Sequence, residues 1–359
     1  MATTARKRKA VADEPKAPAR RRAVVVDDSE DRPATSYFAS TDKEGLEFIS
    51  TGCSLMDCAL GGGWVLGRIS NIVGDRSSGK TLLAIEACAN MVNQFPDAYI
   101  RYAEAEAAFD VRYAEALGMP VGAVDFADGI NTVEDFNNDL IKTLDTHKDR
   151  PILYILDSLD ALSDEAEAKR DISDGSFGAN KAKKMGEMFR RLTRRIESQR
   201  CHLMVISQLR DKLNVTFGET KTRSGGRALD FYATHIVWLA ELGKMKKTID
   251  KIERPVGVEV KARVKKNKVG LPFRECEYPI IFGYGIDDMM ASAQWLVEIG
   301  KPELLKEVGM SQNGYKIRIN NLRDKGGAEA RETRAGLAKI IRQEWERIET
   351  GFVPKARKY

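Results

Sequence analysis

One stretch of this chain can do chemistry on its own. Gly74-Asp75-Arg76-Ser77-Ser78-Gly79-Lys80-Thr81 fits GxxxxGK[ST] at every defined position. Two glycines let the backbone turn its N–H groups inward around phosphate oxygens. Arg68 to Val73 before it reads as a β-branched strand, and Thr81 to Val92 after it as an apolar helix. A helix N-terminus favours anions, so the setting suits a nucleoside triphosphate. An ordinary glycine-rich turn has no need of that setting. The expected contacts are the loop backbone from Gly74 to Gly79 with phosphates, Lys80 with the β- and γ-phosphates, and the Thr81 hydroxyl with Mg²⁺. ATP and Mg²⁺ are the cofactors this predicts.

Such a loop needs an acidic partner at the end of a neighbouring strand, holding the Mg²⁺ shell through water. Asp157, directly after Ile152-Leu-Tyr-Ile-Leu156, is placed for that role. A carboxylate there could instead cap a helix. Hydrolysis also needs a group that polarises the attacking water. Glu104 and Glu106 follow a strand predicted over Ala98 to Ala103, and both qualify on chemistry alone. Cysteine and histidine offer no competing chemistry. The five cysteines form no CxxC pair, and the three histidines, His147, His202 and His235, have no metal spacing. That pattern points to a reducing, cytoplasmic setting without structural zinc.

The elements that must position these groups alternate. Strands are expected at Arg68 to Val73, Ala98 to Ala103, Ile152 to Leu156, His202 to Ser207, His235 to Ala240 and Val256 to Lys265. Helices are expected between them, including Val111 to Leu117, Val133 to Leu144 and a basic amphipathic helix over Lys183 to Gln199. The fold class this predicts is α/β, with a mainly parallel central sheet flanked by helices. Past residue 288 the pattern turns helical, with Leu337, Ile340, Ile341 and Trp345 at helical spacing. We read this as a small α-rich C-terminal domain. Hydrophobic residues make up 43% of the 359, and no run is long enough to span a membrane.

Net charge is +5, so position matters more than the sum. Residues 1–35 hold Arg6-Lys7-Arg8-Lys9 and Arg20-Arg21-Arg22 in a setting too polar to fold alone. The clusters read as a disordered basic arm that touches nucleic acid, or as a bipartite nuclear import signal. Two further segments join glycines, cations and an aromatic. Asp171 to Lys184 contains Phe177 and Gly178, and Leu209 to Gly226 contains Arg210, Lys212, Phe217, Thr222, Gly225 and Gly226. Cations on the backbone with apolar side chains at bases is how single-stranded nucleic acid is held. Two ordinary surface loops would have the same composition.

The order of these motifs resembles the RecA-type recombinases. Phe48-Ile-Ser-Thr-Gly52, the phosphate loop, Glu104-Ala-Glu106-Ala-Ala-Phe-Asp110, Asp157-Ser158, Ile206-Ser-Gln208 and Gly225-Gly226-Arg-Ala-Leu-Asp-Phe231 occur in sequence. Val264-Lys-Lys266-Asn267-Lys268 closes the series, and the match runs over about residues 48 to 300. The divergent termini look like a phage-type relative of bacterial RecA. The resemblance implies roles. Glu106 becomes the water-activating glutamate, and Gln208 the γ-phosphate sensor. Tyr113 stacks on adenine with Asp110 near the base, while Lys266 and Lys268 reach the ATP of the next subunit. Arg210, Lys212, Phe217, Thr222, Gly225 and Gly226 inherit DNA contacts. Lys183 and Arg190 are the phosphate contacts of the first segment, where Phe177 replaces a methionine wedge beside Gly178.

The implied function is a DNA-dependent ATPase that forms helical filaments on single-stranded DNA and exchanges strands with homologous duplex. A single-strand-binding protein or loader would assist it. Rival readings are an accessory RecA paralogue and a hexameric helicase. The implied division is an arm at 1–35, a polymerisation segment at 36–67 with Tyr37-Phe38-Ala39 as a candidate plug, a RecA-like P-loop core at 68–288, and a C-terminal domain at 289–359. Departures from the bacterial pattern are Asp75-Arg76, Arg227, Asp230 and a basic rather than acidic tail.

Overall fold

In the computed structural model the run Ile152–Asp157 is a strand with every residue buried, as an uninterrupted apolar stretch requires. The structure describes residues 45–106, 109–168, 179–211, 221–223 and 226–352. The N-terminal arm, Tyr37-Phe38-Ala39, Phe177, Gly178, Lys212, Phe217, Gly225 and the basic tail lie outside the described residues.

In chain order the elements are β1 (Phe48–Ile49), α1 (Ser54–Leu60), β2 (Trp64–Val65), β3 (Ile69–Gly74), α2 (Lys80–Gln94), β4 (Tyr99–Glu104), α3 (Val111–Ala116), β5 (Val124–Ala127) and α4 (Val133–Thr146). Next come β6 (Ile152–Asp157), α5 (Glu165–Ala168), α6 (Ala179–Ser198), β7 (Cys201–Asp211), β8 (Lys221–Arg223), α7 (Gly226–Tyr232), β9 (His235–Ile249) and β10 (Ile252–Asn267). The last are β11 (Glu275–Ile281), β12 (Gly285–Ile286), α8 (Asp288–Glu298), α9 (Tyr315–Lys325) and α10 (Gly327–Phe352).

Among the described residues, ten strands form one sheet in the order β12-β11-β10-β9-β3-β7-β6-β4-β5, with β8 paired to β7. From β9 to β5 the neighbours are parallel. β10, β11 and β12 extend the sheet antiparallel. Helices cover both faces. One core joins Leu83 and Met91 of α2 to Leu153, Ile155 and Tyr102. The other joins Phe136 and Leu140 of α4, Phe189 of α6 and Leu156. Side chains of one strand divide between the two cores because the strand period is two.

The expected strands and helices are all present, with shifted ends. β9 departs most. It runs on to Ile249, well past the expected end at Ala240. The extension carries no apolar alternation; its backbone pairs with β10. The two glycine-rich segments also hold more structure than loops would. β7 continues to Asp211 and pairs with Lys221–Arg223, and α6 already starts at Ala179.

The C-terminal helices share the first core. Leu305, Ile319, Leu337 and Ile341 sit in the same cluster as Leu55 and Leu60 of α1. Asp288 fastens this joint. It is 4% exposed and accepts from Ser54 N at 2.6 Å and Ser54 Oγ at 2.9 Å. Arg334 Nε of α10 donates to it at 3.3 Å. Asp288→Ala would strand those donors in a buried joint. We expect it to lower unfolding free energy by roughly 3 kcal/mol, read as a lower denaturation midpoint in urea.

Candidate nucleotide-binding site

The phosphate-loop motif sits where β3 hands over to α2. Ser77 and Gly79 both take positive φ, 60° and 88°. Gly74 is boxed in, since a Cβ there would lie 2.3 Å from Ser78 Oγ. Ser78 Oγ and Lys80 Nζ both donate to the Asp75 carbonyl, at 2.9 and 2.7 Å. The loop therefore curls around its own residue-75 carbonyl, with its last turn opening α2. Burial pushes the Lys80 ammonium below the ordinary lysine range, while Asp157 and Glu106 pull it back.

Register lines the other groups up beside it. Gly74 on β3 is level with Gln208 on β7, and Glu104 on β4 with Asp157 on β6. All four lie at the carboxyl ends of parallel strands, where ligands of open α/β sheets bind. Asp157 is 8% exposed, and its Oδ2 accepts from Thr81 Oγ1 and from Tyr102 OH, each at 2.9 Å. Burial raises its carboxyl above the ordinary range, and both hydroxyls act to lower it. A hydroxyl and a carboxylate oxygen in contact form a hard-oxygen donor set, which fits Mg²⁺.

Glu106 is separated from Glu104 by its partners. Its Oε1 accepts from Ser158 Oγ and from Gln208 Nε2, the latter at 2.7 Å. Glu104 Oε1 instead accepts the Glu106 backbone N–H at 3.0 Å, so it shapes the turn. Asp160 Oδ2 accepts the Gln208 backbone N–H at 2.7 Å. The structure thus joins Lys80, Thr81, Asp157, Glu106 and Gln208 in one cluster.

Sequence reasoning missed Tyr102, Ser158 and Asp160 as partners. Asp160 follows the strand-end Asp157 closely and could have been flagged. Tyr102 could not, because its facing towards Asp157 depends on β4–β6 register.

Other expected residues stand apart. Asp110 caps α3, accepting from Arg112 N at 2.9 Å and Tyr113 N at 3.1 Å. Tyr113 is half exposed. Lys266 is level with Ile236 at the start of β9, whereas Gly74 is level with Leu239 further along that strand. Lys266 and Lys268 therefore lie towards the opposite end of the sheet from their own phosphate loop. Both ammonium groups donate to the Phe231 carbonyl at 3.0 Å, and Lys266 also to Asp230 O.

The supports of the two glycine-rich segments meet. α6 follows the first and α7 the second, and they touch at Gly186 and Ala228, where a Cβ on Gly186 would lie 3.6 Å from the Ala228 Cβ. Phe189 and Tyr232 rings add a contact at 6.1 Å between centroids. Lys183 and Arg190 are exposed on α6 two turns apart. Arg210 on β7 is level with Thr222 on β8.

The RecA N-terminal domain family matches residues 31–287. The chain belongs to the RecA family. Protein RecA of Trichormus variabilis is 34% identical over 313 residues, covering 87% of this chain and 83% of that protein. Protein RecA of Fusobacterium nucleatum is 33% identical over 282 residues, covering 76% and 71%. Protein RecA of Nostoc punctiforme is 36% identical over 246 residues, covering 68% and 65%. The sheet and helices described above are therefore those of a RecA-family recombinase core. No helix of the described residues is long and apolar enough to cross a membrane.

Proposed function

We propose that this RecA-family protein is a DNA-dependent ATPase that polymerises on single-stranded DNA and exchanges strands with homologous duplex. The observation that carries this is the Glu106–Gln208 hydrogen bond of 2.7 Å. Gln208 sits at a phosphate-loop level of the sheet and on the strand that leads directly into the second glycine-rich segment. A group that senses the γ-phosphate there transmits to DNA-contacting residues with no intervening element.

On this reading the loop backbone from Gly74 to Gly79 holds ATP, and Lys80 exchanges the Asp75 carbonyl for phosphate oxygens. Thr81 would hold Mg²⁺ directly and Asp157 through water, and the ion would supply charge neutralisation at the phosphates. Glu106 orients and deprotonates the attacking water. Tyr113 and Asp110 lie by the base. Gly178, Lys183, Arg190, Arg210, Lys212, Phe217, Thr222, Gly225 and Gly226 contact DNA, with Phe177 as the wedge of the first segment. Lys266 and Lys268 complete the neighbour's site. Their distance from their own phosphate loop supports a role in the adjacent subunit. Head-to-tail contacts that do not close then generate a filament. Residues 36–67 serve polymerisation, 68–288 form the ATPase core, and 289–359 form a C-terminal unit docked on it.

Electron microscopy with single-stranded DNA and a non-hydrolysable ATP analogue tests this. Extended helical filaments are expected. Closed rings would favour a helicase, and monomers an accessory paralogue.

A further inference from the structure

The hairpin of β9 and β10 outruns the sheet that roots it. β9 pairs with β3 only as far as Leu239, and β10 pairs with β11 only from Gly257. Beyond those points the two strands pair with each other up to the Ile249–Ile252 pair. Asp250 and Lys251 form the turn with φ of 48° and 64°. Positive φ at both central residues matches the hairpin twist. From Leu239 to Ile249 the ribbon reaches roughly 33 Å beyond the level of Gly74. It projects from the carboxyl end of β9, the end of the sheet that carries the phosphate loop.

Its two faces differ. On one face Lys246 pairs with Glu253 at 2.7 Å, so charge is matched within the ribbon. On the other, Lys247 stands directly opposite Arg254, and Ile249 directly opposite Ile252. Like charges directly opposed in a ribbon destabilise it. Neither cation has a carboxylate partner among the described residues. The isoleucines are 61% and 55% exposed, an apolar tip that gains nothing from water. A cation pair behind an apolar tip, on a ribbon narrow enough for a DNA groove, matches proteins that set cations on phosphates and press an apolar wedge at a base step.

We propose that this face of the β9–β10 arm docks on duplex DNA, with Lys247 and Arg254 on phosphates of opposite strands and the Ile249–Ile252 tip in the groove. This rests on the recombinase reading and names the element that meets the incoming duplex. The arm is separate from the glycine-rich segments that follow Ala168 and Asp211.

The test uses the full chain, with fluorescence anisotropy on labelled duplex and, separately, on labelled single strands. The charge-reversed double variant Lys247→Glu/Arg254→Glu should weaken duplex binding at least about 10-fold and reduce the salt slope by about 2. Single-strand affinity and single-strand-stimulated ATP hydrolysis should stay at wild-type values. The swap Lys247→Arg/Arg254→Lys should preserve duplex binding. Ile249→Thr/Ile252→Thr should weaken it with the salt slope unchanged. Wild-type duplex affinity in the charge-reversed protein overturns the proposal. So does loss of binding only to a labelled polyglutamate peptide, which would assign the arm to an acidic protein partner. A wild-type chain that binds neither form of DNA overturns the recombinase reading itself.

Discussion

Lys80→Ala is expected to abolish ATP hydrolysis and ATP-driven strand exchange while leaving the fold intact. The fold survives because Lys80 supports little of it. Its ammonium donates to the Asp75 carbonyl at 2.7 Å, within its own loop, and its burial works against the charged form. The chemistry suffers because a fixed cation beside developing phosphate charge is lost. Losing one such donor costs at least about 100-fold in turnover, or about 2.7 kcal/mol of barrier. Asp157, Thr81 and Glu106 cannot compensate, since none of them is cationic. Steady-state hydrolysis with single-stranded DNA reads the loss, and circular dichroism checks the fold. Strand exchange retained by Lys80→Ala would sink the assignment.

The second large effect concerns Lys268. Lys268→Ala should leave nucleotide binding by isolated protomers unchanged and reduce DNA-stimulated hydrolysis by roughly 1,000-fold, the scale of a charge-neutralising finger supplied in trans. The structure motivates both halves. Lys266 and Lys268 hang on the Phe231 carbonyl, at the end of the sheet away from their own phosphate loop. Mixing distinguishes this from any effect within one chain. Lys80→Ala protein keeps its lysine pair, and Lys268→Ala protein keeps its phosphate loop. In an equal mixture, about a quarter of head-to-tail junctions pair an intact loop with an intact lysine. Hydrolysis should therefore return to about a quarter of wild type. An inert mixture would place both groups in one protomer.

Legibility of the site in sequence followed locality. The phosphate loop is contiguous, so its residues and its strand-to-helix setting could be read directly. Asp157 was reachable because an apolar run announces its strand and the acid ends it. Glu104 and Glu106 were indistinguishable by chemistry. They part only through tertiary partners, with Gln208 and Ser158 meeting Glu106 and the backbone meeting Glu104. Tyr102 acts through register across the sheet, which no local pattern encodes, whereas Asp160 sits in the turn just past the strand-end acid and was within reach. Lys266 and Lys268 looked like exposed edge charges and acquired a role only by resemblance. The main fold elements were legible because both-face burial leaves continuous apolar runs. The outer half of β9 was not, because a ribbon held mainly by backbone pairing needs no apolar period.

The alignment of Gly74 with Gln208, and of Glu104 with Asp157, also limits how this lineage can change. Strand side chains alternate, so inserting or deleting one residue within β3, β4, β6 or β7 would turn the terminal group to the wrong face. Substitution carries no such penalty at most strand positions. Divergence from relatives that are only 34% identical can therefore be absorbed residue by residue within these strands. Changes of length are confined to the connections between them, where an extra residue lengthens a turn and leaves the strand ends in phase.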